Sequence, residues 1–352
     1  MTFLAVLTVR NEGAYLLEWL AHHRAVGFTD FLVFSNDCQD GTDIILDRLQ
    51  DMGWLTHVRN EGPYAKGGIQ FSALKQAAQM DIVRSAEWIL ALDIDEFVNI
   101  HVGDHSLGAL LAALPEATAI TLTWRLFGNA GIVEYTDVPV TQTFTRCAPA
   151  VMYWPWRSVM FKTLFRNDGT YRKLGVHRPR NPVPERLSAA RWFDGEGREL
   201  DDRFKHKRQF SDYGRPNHGL VQLNHYPLGA MASYLLKADR GRAVHSHQIL
   251  DVDYWVERNF NTDSDRSILR TQSQSDPLLH TLHSDSDLAT LHAQAVSWRQ
   301  DRFQFLMEQE PFRALFARLL MTAPSRPITA NAAIQLTRYA LKGLHSGTDG
   351  AT

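Results

Sequence analysis

The sequence predicts an α/β protein: a mostly parallel sheet flanked by helices, followed by a helical C-terminal region. Three observations carry this. Short continuous apolar runs, FLAVLTV (3–9), FLVFS (31–35) and WILALD (88–93), have the composition of strands covered on both faces. Amphipathic segments of 10–15 residues lie between them, which means βαβ units with right-handed crossovers. From residue 231 onward, helical periodicity replaces the alternation.

Taken in order, the strand 3–9 is followed by a helix at 15–27, closed by Gly27 in the C′ position. The strand 31–35 leads to a helix at 41–53, again closed by glycine, and a weaker strand at 55–60. A longer helix (68–85), the strand 88–93, a helix at 106–114 and a strand at 119–127 complete the alternation. Residues 128–180 keep β-like patches, VMYW and VMFKTLF, with a turn at Asn167-Asp168-Gly169. Residues 180–217, rich in Arg, Asp, Pro and Gly, read as a long exposed excursion without a core of its own, expected to close over a site as a lid. Helices follow at 231–243 and 253–260. A polar stretch rich in Ser and Asp (262–287) interrupts them before helices at 302–321 and 329–343.

The chain has 352 residues, enough for one large domain or a domain with an appendage. Its formal net charge of -2 gives no electrostatic case for nucleic acid. Two cysteines, without zinc spacing, favour a reducing compartment. The N-terminus lacks a basic n-region, and no run of eighteen apolar residues exists. The expectation is a cytoplasmic protein without a transmembrane segment, with peripheral contact at the inner face of a membrane left open.

Polar residues gather where such sheets bind ligands, beyond the C-terminal strand ends. Thr8, Arg10, Asn11 and Glu12 end the first strand, Asn36, Asp37 and Asp40 the second, and Asp93, Asp95 and Glu96 the fourth. In an extended chain, residues two apart point to one side, so Asp93 and Asp95 would present carboxylates roughly 7 Å apart. Like charges there need a cation or donors between them. The plainer reading is a turn in which one Asp caps the next segment.

VRNEGAYLLEWLAHHRAVGF, SNDCQDGT, LDIDEF, the Trp-x-x-Phe-Gly segment and NHYPLGA, in this order over roughly residues 3–260, resemble bacterial glycosyltransferases of the family 2-like and family 92-like type. The resemblance implies a GT-A (Rossmann-like) fold and a hexosyl transfer in glycan assembly. It implies a catalytic domain at 1–230, with a nucleotide-sugar half (1–130) and an acceptor half (131–230), then a helical region at 231–352. Mn²⁺ or Mg²⁺ is the implied cofactor. A nucleotide sugar, UDP-linked by preference, is the implied donor, and a glycan or glycolipid the acceptor.

By the same resemblance, Asp95 is the main metal ligand, with His225 as a further ligand, and Asp93 meets the ribose or a metal-bound water. Thr8, Arg10, Asn11, Glu12, Asn36, Asp37, Lys66 and Gln70 surround the nucleotide. Trp124, Phe127, Gly128 and His177 lie on the acceptor side. The base that deprotonates the acceptor is Glu134 by position, followed by Asp137. Ser35 and Asn36 stand where family 2 members often place an Asp against uracil. Three other classes stay open: a phosphatase of the haloacid dehalogenase type, a nucleotidyltransferase and a non-catalytic glycan-binding module.

Overall fold

A computed structural model of the chain describes residues 1–64, 68–241 and 250–346. The expected alternation is present: β1 (Phe3–Val9), α1 (Gly13–Ala25), β2 (Asp30–Ser35), α2 (Thr42–Asp51), β3 (Thr56–Arg59), α3 (Ile69–Ala77), α4 (Asp81–Ser85) and β4 (Trp88–Leu92). β1 pairs in parallel with β2 and β4, and β2 with β3. Alternate residues of β1 serve opposite layers, as a pleated strand requires. Phe3, Ala5, Leu7 and Val9 pack with Leu16, Leu17 and Leu20 of α1; Leu4 and Val6 pack with Ala73, Leu74 and Ala77 of α3.

After β4 the chain turns at once into β5 (Glu96–Ile100), then α5 (Leu107–Ala113) and β6 (Ala119–Leu126). The chain then adds α6 (Val140–Thr143), β7 (Arg146–Cys147), β8 (Phe161–Arg166), β9 (Tyr171–Lys173), β10 (Arg180–Pro182), α7 (Pro184–Leu187), β11 (Trp192–Phe193), α8 (Asp202–His206) and β12 (Val221–His225). The main sheet runs β3-β2-β1-β4-β8-β6-β12-β5, with β11 beside β6. β8 is antiparallel to β4 and β6, and β5 is antiparallel to β12; the other pairs are parallel.

This order forces the sheet to curl. Flat, β4 and β5 would lie four strand spacings apart, about 19 Å. The link from Leu92 to Glu96 reaches at most about 14 Å fully extended, and it is a turn closed by Glu96 N–H on the Asp93 carbonyl at 3.1 Å. β6 makes the bend. Its first part, 119–123, pairs with β8, and its last three residues, 124–126, pair with β12. The D-x-D acids therefore sit at the crease between two sheets.

Several expectations need correction, first the single longer helix at 68–85, which is two, α3 and α4. VMYW is not a strand. The excursion 180–217 is not a free loop: Trp192 pairs with Ala119 in the main sheet, and Ala190, Trp192, Leu200 and Phe204 are buried against Phe161 and Phe165. A few large side chains suffice because they complete an existing core layer. The polar stretch 262–287 holds a short β13 (Asp263–Ser264) and then α11 (Gln272–Ser284), despite Pro277. Leu282 is fully buried, and Leu278 and Leu279 pack beside it, so an apolar stripe hidden among Ser, Gln and Asp holds the helix on the core.

The C-terminal region comprises α9 (Met231–Arg240), α10 (Val252–Val256), α12 (Ser286–Met307), α13 (Glu310–Met321) and α14 (Ala330–Ser346). α9, α10, α12 and α13 share a core around Tyr234, Trp255, Leu306 and Leu319. The single helix expected at 302–321 is two, parted at Glu308 and Gln309. No helix among the described residues is long and apolar enough to cross a membrane.

Candidate active site

A cleft of about 830 Å³ opens over the C-terminal ends of β1, β4 and β6. Thr8, Arg10 and Glu12 line it from the end of β1, Asn36 from β2, Gln70 from α3, Asp93 and Asp95 from the crease, Trp124 from β6 and His225 from β12. His177, Arg178 and Arg180 close one side; Lys237, Arg240 and Arg258 close the other.

Residues 93–95 turn rather than extend, and the two acids take different partners. Asp93 accepts from Lys162 Nζ of β8 at 2.9 Å and from Gln70 Nε2 at 2.7 Å. Asp95 accepts from Lys237 Nζ of α9 at 2.7 Å, with His225 Nε2 3.7 Å from the same oxygen. Burial opposes the charge on Asp95, but Lys237 and His225 hold its carboxyl well below the usual carboxylate range. Burial pushes His225 below the ordinary histidine value, against the pull of Asp95.

Glu96 is neither solvated nor beside the ligand space; it is the floor. Fully buried, it accepts from Trp124 Nε1 at 2.7 Å and from the Asp93 backbone N–H at 2.9 Å. Lys162 Nζ lies 3.4 Å away. Burial, with Asp93 and Asp95 nearby, pushes the Glu96 carboxyl up to about 8. Trp124, fixed by this bond, lies against His225 with the rings tilted by 41° and centroids 4.1 Å apart, and meets His177 edge-on at 5.8 Å. Burial and Lys162 push His177 down to about 4.

Several expected site residues lie elsewhere. Asn11, with a left-handed φ of 53°, accepts from Gln39 N–H and lines a neighbouring cavity rather than the cleft. Asn36 reaches the cleft wall, but its amide is spent on the carbonyls of Val9 and Phe34. Asp37 is exposed and accepts from the Tyr64 hydroxyl. Asp40 is buried and accepts from Gly13 and Thr42 N–H. Phe127 packs in the core on Tyr226, and a Cβ at Gly128 would meet the Phe260 carbonyl oxygen at 2.5 Å, so both serve packing. Asp137 is bound to His292 at 3.1 Å, away from the cleft. Glu134 lines the neighbouring cavity. Lys66 falls outside the described residues.

Sequence reasoning did not assign the cations of α9. Lys237 and Arg240 belong to α9, and Arg240 binds both the Arg10 carbonyl and the Glu12 carboxylate. Their only signal was a helix following NHYPLGA. Lys162 carried a clearer one: a lone lysine inside the apolar run VMFKTLF must find a buried partner.

The sequence profile of glycosyltransferase family 92 matches residues 7–191, more than half of the chain. The chain belongs to glycosyltransferase family 92. A family 92 protein of Oryza sativa subsp. japonica is 25% identical over 143 residues, which cover 39% of this chain and 23% of that one. One of Ricinus communis is 26% identical over 98 residues, 27% of this chain and 16% of its own length. The chain thus spans only about a quarter or less of these curated family 92 relatives. Among solved structures, Staphylococcus aureus TarS 1–349 aligns with a TM-score of 0.34 at 15% identity, over 86% of this chain and 92% of that one. Glucosyl-3-phosphoglycerate synthase of Mycobacterium tuberculosis, in complex with Mn²⁺, UDP and glucosyl-3-phosphoglycerate, aligns with a TM-score of 0.25 at 17% identity, over 35% and 44%.

Proposed function

We propose that this family 92 chain is a glycosyltransferase that moves a sugar from a nucleotide-linked donor, by preference a uridine diphosphate sugar, to a hydroxyl of a glycan or glycolipid. The carrying observation is the crease: two acids at the mouth of a cleft whose walls supply Arg10, Arg178, Lys237, Arg240 and Arg258. A departing nucleoside diphosphate gathers negative charge, and fixed cations in a sheltered cleft stabilise it as it forms. Thr8 and Arg10 would take the base side, and Asn36 would shape that wall through its backbone bonds.

The residues fit a divalent cation bound by few protein ligands. Asp95 offers an oxygen, and His225 Nε2 stands 3.7 Å from it. His225 Nδ1 is buried without a partner. Among the described residues no group of three or more ligating side chains forms a closed cage, and Mn²⁺ or Mg²⁺ in such sites takes its remaining ligands from phosphates and water. When bound, the cation would offset charge on the diphosphate. Lys237 neutralises Asp95 otherwise, and Lys162 with Gln70 fixes Asp93 for a ribose contact. Glu134, which makes no hydrogen bond or ion pair among the described residues, is the proposed base. It lines a cavity that shares Asp95, Lys237 and Arg240 with the cleft.

The dehalogenase-type phosphatase needs its nucleophilic Asp on the first strand by preference, where this chain has Thr8 and Arg10. The test is nucleotide release from UDP-glucose, UDP-galactose, UDP-N-acetylglucosamine and GDP-mannose, with and without Mn²⁺. One donor should be turned over, and Asp95→Asn should lower that rate at least about a hundredfold with an unchanged far-UV spectrum. Turnover by Asp95→Asn at the wild-type rate would sink the metal assignment. Absence of calorimetric binding for both UDP and GDP with Mn²⁺ would sink the donor reading.

A further inference from the structure

Beside the cleft lie two adjoining cavities of about 80 and 330 Å³, which share Glu134, Tyr135, Ser233, Leu236 and Arg299. Arg299, on α12, is only 5% exposed. Its guanidinium carbon lies 4.6 Å from the centre of the Tyr15 ring and 5.0 Å from that of Tyr135. Among the described residues it makes no ion pair and no hydrogen bond, and its Nε is sealed without a partner. A buried charge normally has a counter-ion, because desolvating it alone is costly. Two tyrosine faces return only part of that. They leave its N–H donors without a protein partner among the described residues, and Nε without access to water as well.

We infer that Arg299 is an anion-binding site, and that its ligand is a negatively charged substituent, carboxylate or phosphate, on an acceptor sugar. A guanidinium presents parallel donors that match either group in bidentate fashion, and buried charge-assisted bonds of this kind are strong. The surroundings suit a sugar rather than a bare ion. Tyr135 and Trp298 offer aromatic faces, and Glu134 and Ser233 offer polar edges. The smaller cavity reaches Asp95 and Lys237, so a sugar anchored at Arg299 points its far side toward the cleft. Calling this sugar the acceptor rests on the glycosyltransferase reading; the anion site itself does not.

The test titrates glucuronate, glucose 6-phosphate and glucose into the full-length protein with UDP and Mn²⁺ in the cleft, read by saturation-transfer NMR. At least one anionic sugar should bind at least about tenfold more tightly than glucose. Arg299→Gln should remove that advantage while leaving UDP affinity unchanged. Arg299→Lys keeps the buried charge, and with it the fold, and should retain part of the advantage. Preference for glucuronate assigns a uronic acid, and preference for glucose 6-phosphate a phosphorylated sugar. Equal binding of all three sugars, or anionic binding that Arg299→Gln does not weaken, would overturn the site. If UDP does not bind and the anionic sugars do, the donor reading fails and the anion site stands.

Discussion

Replacing Lys162 with methionine tests how the acids are held. The substitution keeps the apolar stem and removes one charge from a side chain that is 1% exposed. That charge faces Asp93 at 2.9 Å and Glu96 at 3.4 Å. Removing one partner of a buried ionic group costs about 3–5 kcal/mol, because the remaining charge is stranded. The loss should depend on pH. The Glu96 carboxyl is raised to about 8 in the folded protein, so the proton it holds favours folding at acidic pH, and this contribution is lost as pH rises through 8. Without Lys162 its value climbs further. At pH 6 Glu96 is protonated in both proteins, and the variant loses only the half-exposed pairing with Asp93. Above pH 8 the difference should grow by up to about 1.4 kcal/mol per pH unit. Urea unfolding at pH 6, 8 and 9 measures this, and adding Glu96→Gln should flatten the dependence. A loss below about 1 kcal/mol at pH 9, or one that is the same at all three values, would refute the account of the floor.

Lys237→Met should raise the affinity of the nucleotide-free protein for Mn²⁺ at least about tenfold, since the ammonium competes for the Asp95 oxygen; free Mn²⁺ measured by electron paramagnetic resonance would decide it, and an unchanged affinity counts against the competition. Burial holds His22 and His218 down to about 4. They fold neutral, so their contribution is present above the ordinary histidine value and is lost as pH falls toward 4, by up to about 1.4 kcal/mol per unit for each. Equal urea midpoints at pH 7 and pH 5 would contradict this. Trp192→Ala should cost about 3–5 kcal/mol, and amides near Trp192 should resist hydrogen exchange without nucleotide; rapid exchange there would restore the lid.

What the sequence disclosed depends on where its information was local. β1, β2 and β4 are covered on both faces, so their apolar runs stand out. β5 escaped notice because Glu96 and Asn99 interrupt its pattern, and both are internal polar anchors. Asn99 donates to Asn224 at 3.3 Å and to Ser267 at 2.8 Å, partners 125 and 168 residues away. The acids of the site were legible from one strand end. The cations that answer them come from β8 and α9, and no spacing along the chain relates Asp95 to Lys237. Phe127 and Gly128 were misread for the opposite reason: an aromatic beside a glycine fits a sugar platform and a tight packing contact equally well, and only the neighbouring Phe260 carbonyl distinguishes them.

The curl of the sheet has a mechanical consequence. β4 belongs to one leaf and β5 to the other, and the chain crosses between the leaves within residues 93–95. Those residues act as the pin of a hinge, while Trp124 begins the part of β6 that has left β8 for β12. The angle between the leaves therefore acts directly on the backbone that carries Asp93 and Asp95. Substitutions at Thr123 or Leu223, which touch no ligand space, can on this geometry detune the acids by changing the angle at which the leaves meet.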